Sequence, residues 1–164
     1  MDLSFCTCRR TLLMLLVIIA LASSALMAQG WPSCYRKIIV GGNSHWKFGF
    51  NYSNWALQTG PFHVGDTLVF YYKPDHVGNL TIEHNVYLFK HHKDFQNCNF
   101  STAIEVGDPS KGKRGFKFVL RKPRPYYFGC AARAGLHCTL GMMKFGVRPA
   151  CGGSKLLDTV RTDL

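Results

Sequence analysis

The sequence predicts an all-β chain, folded as an antiparallel sandwich of about seven to eight strands in two sheets with a short helical connection. Two observations carry this. Short runs rich in β-branched and aromatic residues alternate with turn residues along the chain, and no long stretch repeats its apolar residues every 3.6 positions.

The strand candidates follow in order. Arg36 to Val40 is β-branched and closes on Gly41-Gly42-Asn43, and Thr67 to Tyr72 stops at Pro74-Asp75. Leu80 to Phe89, Gly115 to Leu120, Pro125 to Cys130 and Met143 to Val147 complete the set. The polar connection His91 to Asn97 is the place for a turn or two of helix, and the basic Gly107 to Arg114 segment reads as a solvated hairpin end. Trp46, Trp55, Phe62, Phe70, Phe116, Phe118 and Phe145 are expected to pack the core.

The N-terminus has its own logic. Arg9 and Arg10 precede an apolar run from Leu12 to Ala22, followed by Ser23, Ser24 and Ala25. This is the order of a secretory signal peptide, expected over residues 1–28 with cleavage after Ala25 or Ala28. The run is too short for the ~20 apolar residues of a membrane-spanning helix. A single domain is expected over 29–150, followed by a polar tail over 151–164 without the apolar end that a lipid-anchor signal requires. Asn51, Asn79 and Asn99 each head an Asn-X-Ser/Thr sequon, so all three are candidate glycan sites in an exported chain.

The whole chain carries a formal charge of +11, and loss of Arg9, Arg10 and Asp2 with the signal lowers it by one. Such a charge suits acidic partners, an acidic polysaccharide among them. Nucleic acid is excluded as a partner by the export signal. Cys6 and Cys8 leave with the signal, and Cys34, Cys98, Cys130, Cys138 and Cys151 remain. In an oxidising compartment five cysteines make two disulfides and one thiol, and spacing alone does not choose among the pairings.

The last third of the chain gathers Cys130, His137, Cys138 and Met142. A thiolate, an imidazole and a thioether on one loop can supply three of the four ligands of a blue copper centre, in which two histidines and a cysteine lie trigonal and a methionine sits weakly on the axis. Soft sulfur suits Cu(I), and imidazole suits both oxidation states. A coordinating thiol is deprotonated by the metal itself, which accounts for the odd cysteine.

Val40-Gly41-Gly42, Trp46, Asn54-Trp55, Phe62, Val64-Gly65-Asp66, Leu68-Val69-Phe70, His84-Asn85-Val86, Tyr126 to Cys130 and Gly135 to Cys138 together resemble a plant phytocyanin over roughly Lys37 to Val147. The methionine and the basic charge resemble the plantacyanin, or basic blue protein, branch. The resemblance implies a Greek-key, cupredoxin-like sandwich with one copper ion held by His84, Cys130, His137 and Met142. It also implies a disulfide between Cys98 and Cys138. Cys34 and Cys151 are then left to join the two ends of the domain.

The chain departs from the family in two places. Six residues, Ala131 to Leu136, separate the ligand cysteine from His137 where the family usually has four, so this loop must bulge outward for His137 to return. Extra residues that include Pro74 to Asn79 lengthen the connection before His84 and bring in His76 as a rival. His84 is preferred because it lies fourteen residues before Cys98, close to the family's interval, and shares a strand face with Val86. Between Met142 and Met143, the five-residue step from His137 selects Met142 and sends Met143 to the opposite face. His45, His63 and the His91-His92 pair are expected on the surface.

The expected function is that of a secreted, extracellular type 1 copper protein of the apoplast or cell surface, monomeric, passing single electrons to or from a redox partner that the sequence does not identify. A filled axial position leaves no open site for a substrate, so the chain is not expected to be an enzyme. The alternative is a phytocyanin-like module without copper that acts in cell-wall or cell-surface interaction.

Overall fold

The structure is a computed structural model, and residues 35–151 are described. The expected signal segment, Cys34 and the tail beyond Cys151 lie outside them. The order of elements is β1 (Lys37–Ile39), α1 (Tyr52–Thr59), β2 (Thr67–Phe70), β3 (Asp75–Val77), β4 (Leu80–Ile82), β5 (Val86–Phe89), α2 (His92–Gln96), β6 (Ile104–Gly107), β7 (Phe116–Val119), β8 (Tyr126–Gly129), α3 (Leu136–Thr139) and β9 (Lys144–Val147). One sheet has the order β1-β2-β7 and the other β6-β5-β8-β9, while β3 and β4 form a separate hairpin.

Period-2 alternation places the core. In β8 and β9, Tyr126 faces Val147 and Phe128 faces Phe145, and all four side chains are buried. From the first sheet Leu68 and Phe70 point back at them, with the Phe70 ring 5.5 Å from Phe128 and 6.1 Å from Phe145. Trp46 packs edge-on against Phe70 at 5.4 Å, and its indole N–H donates to the carbonyl of Asn85 at 3.0 Å. Buried Tyr52, on α1, lies 4.4 Å from the Trp46 ring.

Three features depart from the expected pattern. Among the described residues there are nine strands, because the run Leu80 to Phe89 breaks at Glu83–Asn85 into a hairpin strand and a sheet strand, Asp75–Val77 pairs with the former, and Ile104–Gly107 adds an edge strand. β1 pairs with β2 in parallel, so the sandwich is not wholly antiparallel. Helix α1 had no strong periodic signal, since only Tyr52 and Ala56 are buried while Leu57 is exposed. Its start is set by Asn51, whose side-chain oxygen accepts the Asn54 N–H at 2.9 Å. The helical turn expected within His91 to Asn97 is α2, and the basic segment is a 3-10 turn over Pro109–Arg114 capped by Asp108 on the Ser110 N–H.

Candidate metal centre

The centre lies at one end of the second sheet, where three connections meet. His84 sits in the break between β4 and β5, and its neighbour Asn85 fixes it from two sides. The Asn85 carbonyl accepts from Trp46, and its side-chain oxygen accepts the Ala131 N–H at 2.8 Å. Cys130 follows β8 directly. The loop after it does bulge outward, turning back through Arg133, Ala134 and Gly135 at φ of 51°, 54° and 86°, so the glycine supplies one of three left-handed positions. Arg133 and Ala134 are exposed at its crest, and α3 then brings His137 inward.

Two ties hold His137 in place. Its sequence neighbour Cys138 is bonded to Cys98, the pairing that the resemblance implies. The Phe48 ring packs edge-on against the imidazole at 5.1 Å. Gly141 leaves room for this contact, because a Cβ there would lie 2.5 Å from the Phe48 ring and 2.6 Å from the His137 carbonyl.

The result is a compact triangle. Nδ1 of His84 and Nδ1 of His137 are 3.1 Å apart, and the Cys130 sulfur is 3.9 Å from the first and 3.8 Å from the second. A point inside such a triangle lies roughly 2.1 Å from every corner, close to the ~2.0–2.3 Å at which imidazole nitrogen and thiolate hold a first-row cation. Among the described residues this is the only group of three His, Cys, Asp or Glu side chains close enough to share an ion. Two imidazoles and one thiolate in this arrangement suit a type 1 copper site.

Burial sets the electrostatics. His84 is 0% exposed and His137 2%. Loss of solvent lowers the pKa of both imidazoles; the charge of His84 lowers that of His137 further, and Asp75 opposes the shift in each. Burial pushes the Cys130 thiol up to about 11, against the pull of the Asn85 and Ala132 amides. The imidazoles therefore offer lone pairs, while the thiol keeps its proton until a cation displaces it.

For the fourth ligand, exposure separates the expected Met142 from its neighbour Met143. Met142 is 42% exposed with φ at 53°, whereas Met143 is 0% exposed and belongs to the core cluster that contains Cys130. The reason is register. Gly129 pairs with Lys144, so one step further along the ladder Cys130 faces Met143, and the Cys130 N–H donates to the Met143 carbonyl at 3.0 Å. Opposed residues share a sheet face, so the thioether of Met143 and the thiol of Cys130 project to the same side. Counting from His137 missed this because α3 and the turn after it are not strand. The strand start at Lys144 was the usable signal.

His76 is not at the centre. It is exposed on β3 with Nδ1 3.3 Å from the Thr81 hydroxyl, so the preference for His84 agrees with the cluster. His45, His91 and His92 are exposed, and His63 is half-buried near Asp66. Sequence reasoning overlooked Asp75, whose Oδ2 lies 3.1 Å from Nε2 of His84. The carboxylate sits off the N–H axis, so Nε2 gains a close charge without an aligned hydrogen bond.

The chain is similar to known proteins. Residues 46–142 match the plastocyanin-like domain family. Blue copper protein 1b of Medicago truncatula is 30% identical over 138 residues, spanning 84% of this chain and 76% of the relative. Cucumber stellacyanin, solved with Cu2+, superposes with a TM-score of 0.55 at 26% identity over 73% of this chain and 99% of that one. Cucumber basic protein, a blue copper protein, does so with a TM-score of 0.53 at 29% identity over 70% and 99%. A β-sandwich closed at one end by His84, Cys130 and His137, together with these matches across most of the sequence, places the chain in the phytocyanin family.

Proposed function

We propose that this chain is a secreted type 1 copper protein that passes single electrons, with His84, Cys130 and His137 as equatorial ligands and Met143 as the weak axial one. The triangle of two Nδ1 atoms and one sulfur carries the reading. Bound copper supplies a one-electron couple between Cu(II) and Cu(I). The protein's part is to keep the ligands fixed in both states: Cys130 through its amide on Met143, His84 through Asn85, and His137 through the Cys98–Cys138 bridge. Little then moves when charge arrives. Burial excludes water from both imidazoles, and Met143, buried in the same cluster as Cys130, would shield a bound ion from a substrate, which supports an electron carrier over an enzyme.

Export is supported by the N-terminal signal pattern and by the disulfide, which suits an oxidising compartment. Asn51, Asn79 and Asn99 are all exposed and open to glycosylation on that route. Purified protein titrated with Cu(II) should develop a strong visible thiolate-to-copper absorption, and Cys130→Ser should abolish it. A protein that stays colourless contradicts the reading and leaves the copper-free cell-wall module in its place.

A further inference from the structure

The β3–β4 hairpin is built from the extra residues that set this chain apart from the family pattern, and it brings one carboxylate to the centre. Asp75 opens β3 and pairs with Ile82, two residues before His84. Across that short reach its Oδ2 comes to 3.1 Å from His84 Nε2, the imidazole nitrogen that does not face the Cys130–His137 pair. His84 is fully buried and its Nε2 has no aligned hydrogen-bond partner, so the Asp75 carboxylate is the close charge beside that nitrogen. Asp75 itself is 34% exposed at the edge of a cleft of about 280 Å³ lined by Lys47, Lys73 and Lys113, yet among the described residues no lysine or arginine pairs with it.

From this geometry we infer that Asp75 is a positioning residue of the copper centre, placing a negative charge behind His84 that favours the proton on Nε2 and leaves the Nδ1 lone pair to the ion. The inference rests on the copper reading above. A carboxylate behind a metal-bound imidazole fixes the tautomer and makes the ring a better donor. Its charge favours the more highly charged metal state, so it stabilises Cu(II) over Cu(I).

The test compares wild type with Asp75→Asn, which keeps the shape and an oxygen acceptor, and Asp75→Ala. Cu(II) affinity, reduction potential and, in metal-free protein, the 15N resonances of the His84 ring are measured on each. Asp75→Asn should weaken Cu(II) binding by about 10–100-fold. Each tenfold loss that is specific to Cu(II) should raise the potential by about 59 mV. The metal-free ring should lose its preference for the Nε2-protonated tautomer. Unchanged potential, unchanged affinity and unchanged ring resonances in Asp75→Asn overturn the inference while the copper reading stands. Loss in Asp75→Ala alone also overturns it, because shape and not charge would then be at work. A wild type that binds no copper overturns the copper reading, and with it this role.

Discussion

The main-chain N–H of Cys130 donates to the carbonyl of Met143 at 3.0 Å, and the Met143 N–H in turn donates to the carbonyl of His137 at 2.9 Å. One residue therefore ties the backbones that carry the thiol and the second imidazole, and its side chain is buried in the same core cluster as Cys130.

Met143→Leu should keep the fold, because the exchange nearly conserves volume and costs less than about 1.5 kcal/mol. It should nevertheless shift the visible spectrum and the reduction potential of the copper-loaded protein, since the axial ligand tunes both. Met142→Leu, at an exposed position, should change neither. The absorption spectra and voltammograms of the two variants decide which methionine is axial, and a reversed result restores Met142.

Stability should fall in acid because of Asp66, which lies at the other end of the sandwich. Burial raises the pKa of its carboxyl, but the guanidinium of Arg36 at 2.7 Å and the amides of His63 and Arg36 outweigh that and hold it below the ordinary carboxylate value. A depressed folded pKa means that the stabilisation is full above the unfolded value and lost as pH drops through the folded one. Urea unfolding from pH 7 down to about pH 2 should show this loss. Asp66→Asn should be less stable by about 2–4 kcal/mol at neutral pH and should lose part of the acid dependence.

The two ends of the described chain flank the same segment. The Thr67 N–H donates to the carbonyl of Arg36, and Ala150 exchanges main-chain bonds with Phe62 and Val64. Cys151 follows Ala150 with an exposed, unbridged thiol, and its expected partner Cys34 lies outside the described residues. We expect the secreted protein to join Cys34 to Cys151, adding roughly 2–4 kcal/mol. Peptide mapping of alkylated, non-reduced protein should find that pair linked and Cys130 as the single modifiable thiol in the metal-free form. Alkylated Cys34 and Cys151 would rule it out.

Lys47, Lys73 and Lys113 around one cleft, on a chain of formal charge +11, should hold acidic polysaccharide at low salt. Retention on a polygalacturonate column should fall as salt shortens the Debye length to about 8 Å near physiological ionic strength. Replacing the three lysines by glutamine should elute the protein earlier. Equal retention of variant and wild type would place the interaction elsewhere.

What the sequence discloses depends on how a position is fixed. Cys130 was legible as a candidate ligand because an odd cysteine needs an occupant and a histidine and a methionine follow it within one late segment, and the structure buries it at the end of β8. His137 was legible from its place beside Cys138, although six intervening residues had to coil through left-handed positions to return it. The preference for His84 agreed with the structure, but part of the reasoning did not: it lies in a break between strands and is held by Asn85, not by strand alternation. Met142 was chosen by counting across a turn, where a count has no meaning. β3, β6 and α1 were missed for a related reason. Asp75-His76-Val77 and Ile104-Glu105-Val106 are short and half polar, and the α1 segment hides its helix among Tyr52 and Trp55, residues that favour strands.

Copper K-edge X-ray absorption on the protein loaded with one equivalent of Cu(II) tests the central claim most directly. The account predicts a first shell of two imidazole nitrogens and one short sulfur, with the sulfur contribution absent in Cys130→Ser. A shell of nitrogen and oxygen alone, the same in wild type and variant, would contradict it.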